Sequence, residues 1–207
     1  MDLLKEVTRE FRYKIVKIIS PKIYERFIVT QQNERQILEF MEKRFQKNSI
    51  IGVEIGVFKG ENAEKILETL NIKKIFLVDP YIEYIDGNEE LCSGAACSYS
   101  KKIAIKRLKN FSNIEWIFIT SDKAVNNIPD SLDFVYIDAN HKFDYIMEDL
   151  IEWSRKVRFG GMISGHDFSY YIGQQVVEAV DVYSKVHGIK ELFMTDEQDP
   201  SFFWRKT

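Results

Sequence analysis

The stretch Ile50-Ile51-Gly52-Val53-Glu54-Ile55-Gly56-Val57-Phe58-Lys59-Gly60-Glu61-Asn62-Ala63 constrains this chain more than any other. A β-branched apolar run reaches Glu54, and glycines follow at Gly56 and Gly60. Beyond them Ala63, Ile66, Leu67 and Leu70 recur at the three- and four-residue spacing of an amphipathic helix. The pattern predicts a strand, a tight glycine turn and a helix. Such a turn lets a ligand approach the backbone, since glycine has no Cβ and tolerates positive φ. The helix N-terminus adds free N–H groups and partial positive charge. A second run, Lys74-Ile75-Phe76-Leu77-Val78, ends in Asp79. An acid at the end of a second strand is placed to accept hydrogen bonds from ribose hydroxyls. The unit reads as a βαβ half that binds a nucleoside.

The spacing is Glu-x-Gly-x-x-x-Gly rather than Gly-x-Gly-x-x-Gly. Here the chain resembles the class I S-adenosylmethionine (SAM) dependent methyltransferases. Glu54, Gly56 and Gly60 match the first motif of that family, and Asp79 matches the ribose-binding acid of the second. The resemblance implies that these four residues bind SAM. The missing first glycine argues against a dinucleotide dehydrogenase, whose turn must accommodate a pyrophosphate. The rival readings are a NAD-dependent oxidoreductase, a SAM-binding protein without transferase activity, and an ordinary strand–helix turn.

A chain of 207 residues is enough for one α/β domain with a full core. A net charge of −3 gives no reason to expect a general nucleic-acid or membrane binder, so nucleic acid is not an expected partner. No apolar run approaches the ~18 residues needed to span a bilayer. The N-terminus lacks a signal-peptide pattern, and the expectation is a cytoplasmic protein.

Residues 2–47 are helical in pattern. Phe11, Ile15, Ile18 and Ile19 make one apolar face, and Ile37, Leu38, Met41 and Phe45 a second. This segment, 1–47, is expected to pack on the sheet edge or to form a lid or homodimer contact. Residues 48–207 are expected to form the SAM-binding domain. After Asp79 comes a connection far longer than the usual ~2–6 residues, holding Cys92 and Cys97. Long loops at strand ends often carry function. The cysteines read as two small buried thiols, with a disulfide as the other reading. A basic amphipathic helix is expected over 100–109. A third strand over 114–119 leads to Thr120-Ser121-Asp122. The resemblance implies that residues here contact the adenine, which makes Ser121 and Asp122 candidates. The alternative is a helix cap.

A fourth strand, 132–137, ends at Asp138-Ala139-Asn140-His141, and a helix follows over 143–156. Phe159-Gly160-Gly161 reads as a turn into a fifth strand ending at His166-Asp167. A last helix over 174–186 and two closing strands complete the order. The expected fold is a three-layer, doubly wound, Rossmann-like α/β sheet of seven strands, mostly parallel with an antiparallel last strand.

In an open α/β sheet, ligands bind at the C-terminal strand ends. Asp138, Asn140, His141, His166 and Asp167 all fall there. The runs Tyr-Ile-Asp-Ala-Asn-His and Gly-Gly-Met-Ile-Ser-Gly-His-Asp-Phe resemble a methyltransferase subgroup of small-molecule and sugar O-methyltransferases, with a cephalosporin-hydroxylase-like branch. The resemblance spans about 48–185. It implies a small-molecule substrate and a divalent metal, Mg²⁺ or Mn²⁺, on Asp138 and Asp167. His166 stands where several such relatives have a second acid, which makes it a third candidate ligand. His141 is the candidate base for an acceptor hydroxyl, because imidazole titrates near ~6.5. Asp138 is a candidate for the reaction and for cofactor binding as well. The bland alternative is a structural hydrogen-bond network joining two loops.

Overall fold

The computed structural model describes residues 27–30, 36–87, 91–170, 174–196 and 199–207. The first apolar face expected near the N-terminus lies outside these residues. Phe27–Thr30 forms a short strand, β1, where a helical pattern was expected. Helix α1 (Gln36–Phe45) follows, with Ile37, Leu38, Met41 and Phe45 buried as one face. That face packs into the core, so this helix covers the sheet.

The central elements follow the apolar pattern closely. Strand β2 (Ile50–Ile55), helix α2 (Glu61–Thr69) and strand β3 (Ile72–Val78) form the opening βαβ unit. A small hairpin, β4 (Tyr84–Ile85) and β5 (Leu91–Cys92), occupies the long connection. Helix α3 runs over Gly94–Leu108, starting earlier than the basic face alone indicated. Ser93 caps it, its hydroxyl accepting from the backbone N–H of Ala96. Strand β6 (Ile114–Ile117), the four-residue helix α4 (Ser121–Ala124), strand β7 (Leu132–Ile137) and helix α5 (Phe143–Lys156) follow. Strand β8 (Val157–Gly165) starts at the end of α5 and includes Gly160-Gly161, where a turn was expected. Helix α6 (Gln174–Val186) and strands β9 (Leu192–Thr195) and β10 (Phe202–Arg205) close the chain.

The main sheet has the order β1-β9-β10-β8-β7-β2-β3-β6. Its seven-strand body is parallel except for β10, which runs antiparallel to both β8 and β9. Strand β1 adds an eighth strand, parallel to β9. Side chains alternate across a strand, and both faces of this sheet are buried. Val53, Ile55, Val135 and Ile137 meet α5 and α6 through Ile146, Leu150, Trp153, Val177 and Val180. Ile75, Leu77, Phe134 and Tyr136 meet α1, α2 and α3 through Met41, Phe45, Ile66 and Leu108. The result is three layers. The chain steps from β2 out to β3 and β6, then returns to β7 on the other side of β2. This reversal opens a crevice at the C-terminal ends of β2 and β7, where open α/β sheets bind ligands. No helix among the described residues is long and apolar enough to cross a membrane.

Candidate active site

The turn after β2 is built on backbone conformations that glycine adopts without strain. Gly56 has φ +83° and Gly60 φ +75°. A Cβ on Gly56 would lie 1.9 Å from the carbonyl oxygen of Asp138, so this turn presses directly on the end of β7. Gly60 begins α2. Glu54 is buried, and Asn62 from the first turn of α2 donates to its Oε1 (3.2 Å).

Asp79 braces the same turn. Its Oδ2 accepts from the backbone N–H groups of Val57 (3.0 Å) and Phe58 (2.9 Å), and its Oδ1 from Tyr81 (2.8 Å). Burial raises its pKa, opposed by these three bonds and by Lys101. Phe58 and Tyr81 both hold positive φ, and the Tyr81 hydroxyl donates to the Phe58 carbonyl (3.0 Å). Strained backbone of this kind gathers at ligand sites. Oδ2 already accepts two bonds, but Oδ1 accepts one and keeps a further lone-pair site, so ribose binding and turn bracing are compatible.

Ser121 does not cap α4. Thr120 occupies the cap position, without a side-chain cap bond. The Ser121 hydroxyl instead donates to buried Asp149 on α5 and accepts from the Trp153 indole N–H (2.6 Å). Burial pushes the Asp149 carboxyl up to about 7. Asp122 lies exposed on α4.

The strand-end cluster converges. One ligand atom each from Asp138, His141 and Asp167 lies within 4.8 Å of the others. His141 Nε2 is 3.1 Å from Asp167 Oδ2 and 3.6 Å from Asp138 Oδ1. It is buried, yet no hydrogen bond to either acid is aligned. A ring nitrogen directed between two carboxylates fits a divalent cation that displaces its proton. Two carboxylates and an imidazole suit Mn²⁺ or another first-row ion as well as Mg²⁺. His166 stands beside this group, with Nδ1 3.0 Å from Asp167 Oδ1 and 3.9 Å from Asp138 Oδ1. Asp167 has φ +52°. Burial works to raise its pKa, but His166 and the charge of His141 outweigh that and hold it low. Burial disfavours charge on His141, but Asp138 and Asp86 overcome this and push its pKa up to about 10. Without a cation this imidazole therefore carries a proton and is a donor rather than a base.

Asp86 was not singled out in the sequence. It follows β4 and accepts from both the His141 backbone N–H (2.8 Å) and the ring Nδ1 (2.9 Å). Nothing in the local pattern of the hairpin signals this partner. Cys92 and Cys97 are free thiols with their sulfurs 3.1 Å apart; Cys97 is buried as expected, whereas Cys92 is only half-buried.

This sheet order, with its single antiparallel strand and a glycine turn at the switch point, defines the class I SAM-dependent methyltransferase fold. The chain belongs to the family described as "Methyltransferase domain", whose model matches residues 53–168. It is thus a SAM-dependent methyltransferase. Solved structures share the fold at low identity. The O-methyltransferase NovP superposes with a TM-score of 0.61 at 18% identity, covering 83% of this chain and 80% of that one. The Streptococcus mutans protein SMU.1697c, solved in complex with SAH, gives 0.64 at 11% identity, covering 86% and 99%. An rRNA methylase from Streptococcus thermophilus gives 0.61 at 14%, covering 86% and 99%. Uncharacterized protein R132 of Acanthamoeba polyphaga mimivirus is 26% identical over 180 residues, 86% of this chain and 77% of that protein.

Proposed function

We propose that the protein transfers the SAM methyl group to a hydroxyl oxygen of a small molecule, assisted by a divalent cation. The observation that carries this reading is the convergence of Asp138, His141 and Asp167 beside the glycine turn. SAM supplies an electrophilic methyl on a sulfonium. Gly56 and Gly60 would admit its methionine end, with Glu54 nearby. Asp79 would hold the ribose, and Asp122 would face the adenine. Ser121 is engaged with Asp149 and Trp153, so it would act only by supporting this loop.

A divalent cation, when bound, supplies Lewis acidity that lowers the pKa of an acceptor hydroxyl. Asp138 and Asp167 would each offer it a carboxylate oxygen, and His141 its Nε2. His166 is placed to hold Asp167 in orientation. A His141 stripped of its proton by a cation neighbour is a ligand; one that keeps its proton is a charge partner for the two acids. Methyl transfer is an in-line displacement, so the chain's main contribution is to hold donor and acceptor aligned.

The test is transfer from labelled SAM to a panel of hydroxyl-bearing small molecules. Chelator should suppress transfer and added Mn²⁺ or Mg²⁺ should restore it. Full activity in chelator, with Asp167→Asn behaving as wild type, would remove the cation from the reading.

A further inference from the structure

We infer that Asp86 is the positioning residue that sets the tautomer and aim of His141, so that Nε2 faces the space between Asp138 and Asp167. The inference rests on the cation reading above. One carboxylate grips the same histidine twice: Oδ1 takes the backbone N–H (2.8 Å) and Oδ2 faces Nδ1 (2.9 Å). An ionised carboxylate only accepts. It therefore keeps a proton on Nδ1 and leaves Nε2 as the nitrogen that can offer a lone pair. A carboxylate behind a ligating imidazole fixes ring orientation and raises ligand basicity.

The hairpin that carries Asp86 is tied down around this contact. Asn140 Nδ2 donates to the Ile85 carbonyl (3.0 Å), and Gln175 Nε2 from α6 donates to the Gly87 carbonyl (2.9 Å). A Cβ on Gly87 would come within 2.5 Å of the His141 carbonyl oxygen, so the two loops are in close contact. The long connection after β3 thus meets the loop that follows β7 and holds its histidine.

The chemistry makes a ranking that simple bracing does not. In Asp86→Asn the amide oxygen still accepts the backbone N–H, and the amide nitrogen then donates to Nδ1. That places the proton on Nε2 and blocks its lone pair. Asp86→Ala removes the grip but leaves either tautomer accessible. Mn²⁺ affinity, read by electron paramagnetic resonance, should fall about 10- to 100-fold in Asp86→Asn and by less in Asp86→Ala. SAM affinity of Asp86→Asn should stay near wild type. Histidine ¹⁵N spectra in the presence of zinc should show Nδ1 protonated and Nε2 zinc-bound in the wild type, and Nε2 protonated and not bound to zinc in Asp86→Asn. If Asn binds Mn²⁺ as tightly as wild type, or ranks above Ala, Asp86 is a structural latch and the inference falls. If the wild type itself binds no Mn²⁺, the cation reading falls, and the inference with it.

Discussion

Gly56 and Asp138 are in contact through the backbone: a Cβ on the glycine would sit 1.9 Å from the aspartate's carbonyl oxygen. Two strand-end loops far apart in sequence are thereby fitted to one another at the switch point. Gly56 therefore serves the fold as well as the cofactor, and substituting it disturbs both.

Gly56→Ala should lose at least about 2 kcal/mol of stability, from the cost of a side chain at positive φ plus overpacking against backbone. Urea denaturation reads this directly. A variant as stable as wild type would show that the two loops separate easily.

Asp79→Ala should weaken SAM binding by about 1–3 kcal/mol and also lower stability by about 1–3 kcal/mol, since three backbone donors lose their acceptor. Calorimetry and thermal melting measure the two separately. Lost stability with unchanged affinity would leave Asp79 as a brace only.

Asp149 should give the protein a distinctive pH dependence. Its folded-state pKa, about 7, lies above the ordinary carboxyl value. The fold thus binds this proton more tightly than the unfolded chain does. Stability from this group is fully present at pH near 4 and is lost as pH rises toward 7, at up to about 1.4 kcal/mol per unit. Comparing wild type with Asp149→Asn at pH 5 and pH 7.5 should show the variant gaining relative stability at the higher pH. Parallel behaviour at the two pH values would mean that Asp149 is ionised in the fold throughout.

Lys206 closes the C-terminus of α5. Its ammonium donates to the carbonyls of Ser154 (2.8 Å), Arg155 (3.3 Å) and Val157 (2.6 Å). A cation there also complements the helix dipole. Lys206→Met keeps the aliphatic stem and should cost about 1–2 kcal/mol, with SAM affinity unchanged. An unaltered melting midpoint would contradict this.

Most strands of the seven-strand body, the glycine turn and the acids at the strand ends were readable from the sequence, but β1 and the β4–β5 hairpin were not. Period-two and period-3.6 burial and the steric freedom of glycine are local properties, and they marked β2, β7 and α5 to within a residue and β3 to within two. The start of α3 was hidden because Gly94 to Tyr99 shows no clear apolar face, and its cap, Ser93, looks like any loop serine. Gly160-Gly161 looked like a turn, yet the pairing of β8 with β7 and β10 carries the strand through both residues. Ser121 read as a cofactor contact or a helix cap; the sequence did not show that its hydroxyl is held by Asp149 and Trp153, residues a helix away. Asp86 carried no local signal at all, since its meaning lies in one imidazole fifty-five residues further along. Local sequence determined most of the central strands and helices and which strand ends are polar. Only the tertiary structure decided which polar groups meet, because hydrogen bonds between loops depend on distances that the fold sets and the sequence pattern does not encode.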